Sequence, residues 1–139
     1  MTIKTGSISL RTSGRMEIIN ITPELKRLLA GSGLRSGTLT VFCPSSTSSV
    51  TTIEFEPGAV SDLKRLLEEL VSSKVEYAHN ATWGDGNGYS HLRASLLGPS
   101  LSIPFVEKEM TLGTWQQVVY LDFDNRERQR ELVIQMMGE

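Results

Sequence analysis

A single cysteine, Cys43, rules out an internal disulfide and a four-thiolate zinc site. No apolar run approaches the roughly 20 residues a membrane helix needs, so no spanning segment is expected. Met1 to Leu10 alternates polar and apolar residues and lacks the apolar core of a secretory signal. These absences together predict a reducing, cytoplasmic setting. Neither sign of charge dominates, since 14 Lys and Arg stand against 16 Asp and Glu, giving a formal net charge of −2. Without a basic face to displace counterions from phosphates, nucleic acid is not an expected partner. A small metabolite or a protein partner fits better.

What is present is the composition of a packed globule. Apolar residues make up 39% of the chain and charged residues 22%, which excludes extended disorder, and 139 residues suffice for one domain spanning 1–139. Ile3 to Arg11 and Met16 to Ile21 read as strands separated by the turn Thr12-Ser13-Gly14-Arg15, which predicts a hairpin. Thr22-Pro23-Glu24 reads as a helix start with Thr22 as cap, and Leu25, Leu28 and Leu29 share one face that Gly31 can end. Thr38 to Cys43 and Val50 to Phe55 read as strands joined by the loop 44–49. Pro57 opens the clearest helix, with Val60, Leu63, Leu66, Leu67, Leu70 and Val71 at amphipathic spacing. Val75 to Gly88 is irregular, and a short helix follows in which Leu92 and Leu96 stack one turn apart. Ser100 to Val106, Met110 to Thr114, Trp115 to Phe123 and Arg130 to Met137 read as antiparallel strands. Strands flank helices without regular alternation, so a sheet-rich α+β domain is expected.

The segment His79-Asn80-Ala81-Thr82-Trp83-Gly84-Asp85-Gly86-Asn87-Gly88-Tyr89-Ser90-His91 holds the chain's only two histidines and three alternating glycines. Gly86, Asn87 and Gly88 can bring a ligand against bare backbone, and a helix beginning near Tyr89 aims free N–H groups at an anion. A plain Gly-rich turn is the simpler alternative. His79 and His91 are twelve positions apart, so only the loop could bring them together as metal ligands, with Asp85 or Glu54 as the third. Two hydrogen-bonded histidines are the competing expectation. Ser45, Ser46 and Thr47 offer hydroxyls to a phosphate without a phosphate-loop pattern. Glu54 and Glu56 fall on one side of a strand, as an acid/base pair or a solvated edge. Arg126, Arg128 and Arg130 alternate, and in extended chain would present guanidinium groups to phosphate or to a carboxylate of a partner, or else form a charged edge or subunit contact. Cys43, in an apolar context, is expected to be inert.

Over nearly the whole chain the sequence resembles the YjbQ-like family, small proteins associated with secondary thiamine-phosphate synthesis. The resemblance rests on Tyr77-Ala78-His79, Ser90-His91-Leu92, Leu97-Gly98-Pro99-Ser100 leading to Ile103-Pro104, Leu112-Gly113-Thr114-Trp115-Gln116, and Asp122-Phe123-Asp124-Asn125 with Arg128 and Arg130. It implies a β-sandwich of mostly antiparallel strands with about three helices packed against it, a homotrimer, and weak thiamine-phosphate synthase activity. Many members carry a His-Thr-Thr motif after the third strand; here Ser45 stands where that histidine would be. The stretch Trp83 to Gly88 is similar to that of the archaeal-type branch. Three functions follow as expectations. In the first, a pyrimidine pyrophosphate joins a thiazole phosphate, with Asp85 and Glu54 on magnesium and Arg93 or Arg128 on phosphate. In the second, His79, His91 and Asp85 hold zinc for a hydrolase or lyase, with Asp85 or Glu54 as base. The third is a non-catalytic trimer that binds a phosphorylated metabolite.

Overall fold

The computed structural model describes Met1–Glu139. The chain runs β1 (Thr2–Thr12), β2 (Glu17–Asn20), α1 (Thr22–Gly31), β3 (Gly37–Phe42), β4 (Ser48–Ile53), α2 (Pro57–Leu70), α3 (Ala78–Trp83), α4 (Gly88–Leu97), β5 (Ser100–Val106), β6 (Glu109–Met110), β7 (Gln117–Asp122) and β8 (Arg128–Gly138). All strand pairs are antiparallel. They form a five-stranded sheet in the order β1-β8-β3-β5-β6 and a three-stranded sheet in the order β2-β7-β4. No helix is long and apolar enough to cross a membrane.

The burial of β7 explains how these layers stack. Val118 and Tyr120 point into a core shared with Leu39, Val41, Phe105, Leu132, Ile134 and Met136 of the larger sheet. Val119 and Leu121 point the other way, against Leu67 of α2 and Ala94 of α4. The small sheet is therefore covered on both faces, which is why β7 reads as an unbroken apolar run rather than an alternating one. The outer face of the large sheet is open to water, and β8 alternates accordingly, with Leu132, Ile134 and Met136 buried and Val133, Gln135 and Met137 exposed. Helix α1 closes one side of the sandwich through Leu25 and Leu29.

Several local expectations give way to tertiary context. β1 and β2 do not form a hairpin, because β1 pairs with β8 in one sheet and β2 with β7 in the other. Between them Gly14, Arg15 and Met16 all have positive φ, which swings the chain from sheet to sheet. A side chain at Gly14 would lie 2.5 Å from the carbonyl oxygens of Asp124 and Arg126, so glycine is required for the two crossings to meet. Thr22 is not a helix cap. Its hydroxyl is spent on β7, donating to the carbonyl of Val118 and accepting from its N–H, while Asn20 takes the Thr22 N–H. The stretch expected to be irregular contains a fourth helix, α3. Finally, Leu92 and Leu96 are exposed, and α4 instead buries Ser90, Arg93 and Ala94. The reason is polar anchoring: Ser49 donates to the Ala94 carbonyl at 2.9 Å, and Arg93 is bonded into the end of α2.

Candidate functional site

At the end of the sandwich where β7 and β8 meet, the inward alternation of β8 continues past Leu132 into Arg130 and Arg128. Those two positions lie beyond the apolar core, so charge replaces hydrocarbon on the same strand face. Their partners are Asp122 and Asp124, both almost completely buried. Arg130 forks onto Asp122, with Nε and Nη2 each at 2.8 Å from a carboxylate oxygen. The same guanidinium donates to the hydroxyls of Ser45 and Thr47, both at 2.9 Å. Thr12 donates to the Asp122 carboxylate at 2.5 Å. Asp124 accepts from Thr47 Oγ1 at 3.2 Å, Asn87 Nδ2 at 3.2 Å, Asn125 N at 2.8 Å and Arg128 Nε at 2.9 Å. Its own carbonyl takes the Arg15 N–H at 2.6 Å. Buried charges persist only when paired and fully hydrogen-bonded, and this network meets that condition. It ties loop 44–47, the 84–87 turn and β8 to one point.

The two histidines arrive from separate helices. His79 lies in the first turn of α3 and His91 in α4, and the chain reverses between them through Gly84 and Gly86, both left-handed. Gly88 sits against Tyr77, where an added Cβ would be 2.6 Å from the Tyr77 Cβ, and its N–H is held by Asn80 at 2.9 Å. That close approach brings the imidazole centroids to 4.2 Å, tilted by 54°. His79 Nε2 is shut off from solvent with no hydrogen-bond partner. The nearest carboxylate oxygen, Asp85 Oδ1, is 3.8 Å away, too far for a hydrogen bond. Asp85 is half exposed, with its carbonyl anchored by Asn125 at 2.7 Å. These groups line an open cleft of about 500 Å3, joined by Pro44, Ser45, Ser46, Thr47, Asn87, Asp124, Arg128 and Arg130, with the exposed indole of Trp83 at its edge.

Of the residues expected to act, the structure brings His79, His91, Asp85, Ser45, Ser46, Thr47, Asn87 and Arg128 to this cleft. Gly86 and Gly88 shape its wall rather than line it. Two others are elsewhere. Arg93, expected to meet phosphate, has a side chain only 3% exposed and is consumed by Glu68 at 2.6 Å, the Val71 carbonyl and the face of Tyr89. Two residues beyond His91, it points off the other side of α4. Glu54 follows the far end of β4. The register pairs Ser48 with Asp122 and Ile53 with Gln117, so Glu54 is about 20 Å along the strand from the cleft at roughly 3.3 Å per residue. Nor do Glu54 and Glu56 pair, since Glu56 caps α2 by accepting from Gly58 and Ala59. Arg126 is exposed beyond the start of β8 and does not join the other two arginines. Asp122 and Asp124 are legible in the sequence only as motif residues, and Arg130 as a motif residue and as one of three alternating arginines. The available signal was an apolar strand ending in Asp-x-Asp opposite Arg-x-Arg. Cys43 is buried, and burial pushes its thiol up to about 12, which leaves it without a usable thiolate.

Electrostatically the cleft favours a neutral imidazole at His91 and an ionised carboxylate at Asp124. His91 titrates below the ordinary histidine range because burial, then the neighbouring His79, disfavours its cation. Burial alone would raise Asp124, but the hydrogen bonds from Asn87, Asn125 and Arg128 outweigh it and hold the carboxyl below its usual range. A depressed histidine binds fewer protons folded than unfolded, so stability is lost as pH falls below the unfolded value of about 6.5. A depressed carboxylate contributes stability above about 4 that disappears as pH drops toward its lower folded value. Thermal melting followed from pH 7.5 to 3 should therefore fall in two stages. The His91→Gln variant should lose the first stage and keep the second.

Comparisons with known proteins agree with one another. The model of the family described as UPF0047 protein YjbQ-like matches residues 6–139. A UPF0047 protein of Methanothermobacter thermautotrophicus is 40% identical over 99% of this chain and 94% of its own. The UPF0047 protein YugU of Bacillus subtilis is 30% identical over 95% of this chain and 98% of its own. Among solved structures, a hypothetical protein of Aeropyrum pernix superposes with a TM-score of 0.90 at 31% identity, covering 98% of this chain and 99% of the other. A YbjQ-like protein of unknown function from Sulfolobus solfataricus gives the same TM-score at 25% identity, covering 99% and 100%.

Proposed function

The chain belongs to the YjbQ-like UPF0047 family, and from that premise we propose that its open cleft is a metal-assisted site for a hydrolase or lyase acting on a small phosphorylated metabolite. The observation that carries this reading is His79 Nε2, buried and unpartnered beside a second imidazole and 3.8 Å from a carboxylate. A buried nitrogen without a partner is costly unless something else fills its lone pair. Two donors sharing one tetrahedral zinc with bonds of about 2.0–2.1 Å stand roughly 3.4 Å apart, close to this separation. His79, His91 and Asp85 are the residues that would hold the cation. No three such side chains already converge on one point. Ser45 does not supply the missing ligand, because its hydroxyl accepts from Arg130 and from the Thr47 N–H. Zinc, when bound, lowers the pKa of a coordinated water toward neutrality.

The chain's own groups have definite tasks in this reading. His91, kept neutral at pH 7, offers a lone pair rather than a proton. Arg128 spends Nε and Nη2 on Asp124 and leaves Nη1 for a phosphate oxygen, with Ser46 exposed beside it. Trp83 offers its indole face to an apolar or planar part of the metabolite. Thiamine-phosphate synthesis is less well supported, because it calls for an oxygen-rich magnesium site. Asp122 and Asp124 are already neutralised by arginines, and Glu54 lies at the other end of β4. The deciding measurement is metal analysis of protein purified without a histidine tag, coupled to phosphomonoester and phosphate-elimination assays with and without zinc. Retained zinc with zinc-dependent turnover supports the reading; absence of both overturns it.

The homotrimer belongs to the same proposal. Leu66 and Leu70 of α2 and Leu92 and Leu96 of α4 are 46–62% exposed on adjacent helices, an apolar surface of the kind that association covers. Light scattering on the purified chain, 15.4 kDa per copy, should give close to three times that mass. A monomer mass would refute it.

A further inference from the structure

The Leu112 to Gln116 motif takes no part in the cleft, yet it walls a second cavity of about 440 Å3 at the opposite end of the small sheet. Gln117 at the start of β7 lines this cavity and Asp122 at its end belongs to the first network, which separates them by about 17 Å at roughly 3.3 Å per residue. Three of its lining residues, Leu29, Met110 and Leu112, are apolar. Leu29 is buried, and Met110 and Leu112 pack against the main core. The rim carries two ammonium groups, Lys26 and Lys108, neither of which is in an ion pair.

Both lysines are placed by construction rather than by chance. Thr22, Lys26 and Leu29 fall on one face of α1, four and three residues apart, and Thr22 anchors that face to β7. Lys108 sits in a left-handed turn between β5 and β6 whose N–H donates to the Arg35 carbonyl at 2.8 Å. Arg35 also takes Glu107 at 2.6 Å, so the neighbouring acid is spent outside the cavity instead of on Lys108. Gln116 braces the third wall, donating to Thr52 and accepting from the Gly113 N–H, both at 3.0 Å. Gln117 accepts the Phe55 N–H and leaves its amide nitrogen without a protein partner. Glu109 is the one carboxylate on the rim, so the cavity keeps a net positive charge in a chain that is negative overall. A concave site with three apolar residues and two unpaired cations in its lining fits a ligand with an apolar body and an anionic end.

We propose that this cavity is a second ligand site, separate from the histidine cleft, for a small organic anion whose charged end lies between Lys26 and Lys108 and whose apolar body rests on Leu29, Met110 and Leu112. Trp115, 71% exposed between two lining residues, is a built-in reporter, and Trp83→Phe leaves it as the only tryptophan. The probe is 8-anilinonaphthalene-1-sulfonate, read by energy transfer from Trp115 in the Trp83→Phe protein. Saturable one-to-one binding is expected, weakened at least fivefold by Lys26→Gln with Lys108→Gln and restored by arginine at both positions. The His79→Ala, His91→Ala protein should bind the probe unchanged, and neutral N-phenyl-1-naphthylamine should be insensitive to the lysine changes. Both lysines are exposed, so their variants should melt as the parent does. Non-saturable binding, binding indifferent to the lysines, or binding lost with the histidines would each overturn the proposal.

Discussion

Alanine at His79 or at His91 is expected to lower zinc affinity by roughly a hundredfold or more, since even outer-shell partners of a metal ligand are worth 10 to 100-fold. With two imidazoles and one half-exposed carboxylate, there is no spare ligand to compensate. Zinc-dependent turnover should fall with occupancy and return only in part at saturating zinc, because the surviving imidazole holds the ion with fewer constraints. Asp85→Asn should be milder in affinity and severe in turnover if the carboxylate takes a proton during the reaction. The fold should survive all three changes, as both rings are partly exposed and neither anchors the buried network. Titration calorimetry with zinc, alongside melting curves, separates loss of a ligand from loss of structure. Unchanged zinc affinity in both histidine variants would exclude the metal reading.

Arg130→Met should be the most destabilising single change at the site, at about 3–5 kcal/mol, the range for removing one member of a buried ion pair. Arg130 is 13% exposed and Asp122 fully buried, so the deletion strands a carboxylate with only Thr12 and the Asp124 N–H for company. It also removes one of the bonds that hold each of Ser45 and Thr47 in the loop above the cleft. Against a typical total stability of about 5–15 kcal/mol, such a loss is visible in urea denaturation as a large fall in midpoint. Arg128→Met should cost less, because Arg128 is 32% exposed and Asp124 keeps Asn87, Asn125 and Thr47. Adding Asp122→Asn to Arg130→Met should recover part of the loss by removing the stranded charge. Equal costs for Arg128 and Arg130, or no recovery in the double variant, would show that the network does not work as a charge-neutralising unit.

Some of this architecture is legible in the chain alone, for identifiable reasons. Strands β5, β7 and β8 carry their alternation or their unbroken apolar runs on their face, whereas Met110 to Thr114, expected as a strand, has only Met110 in one, and α2 shows its Pro57 start and amphipathic spacing. The 79–91 segment stands out because it holds the chain's only two histidines and three alternating glycines. Arg128 and Arg130 can be placed on one side of an extended strand by parity. Periodicity of this kind reports which side of an element is apolar, a local property of adjacent residues.

Which elements meet is decided by contacts between residues far apart in the chain, and there the pattern misleads. The Ser13-Gly14 turn suggests a hairpin, yet three consecutive positive-φ residues send β1 and β2 into different sheets. Leu92 and Leu96 suggest the buried face of α4, but Arg93 and Ser49 turn that face outward through bonds to α2 and β4. Arg93 and Glu54 are chemically suited to a phosphate or metal site and still lie outside it, one consumed in packing and the other at the wrong end of its strand. The sequence by itself determined the family, the sheet-rich class and the position of the histidine cleft. Only the tertiary structure decided that buried Asp122 and Asp124 would be neutralised from β8, because burying two carboxylates is tolerable only where distant segments deliver their partners together.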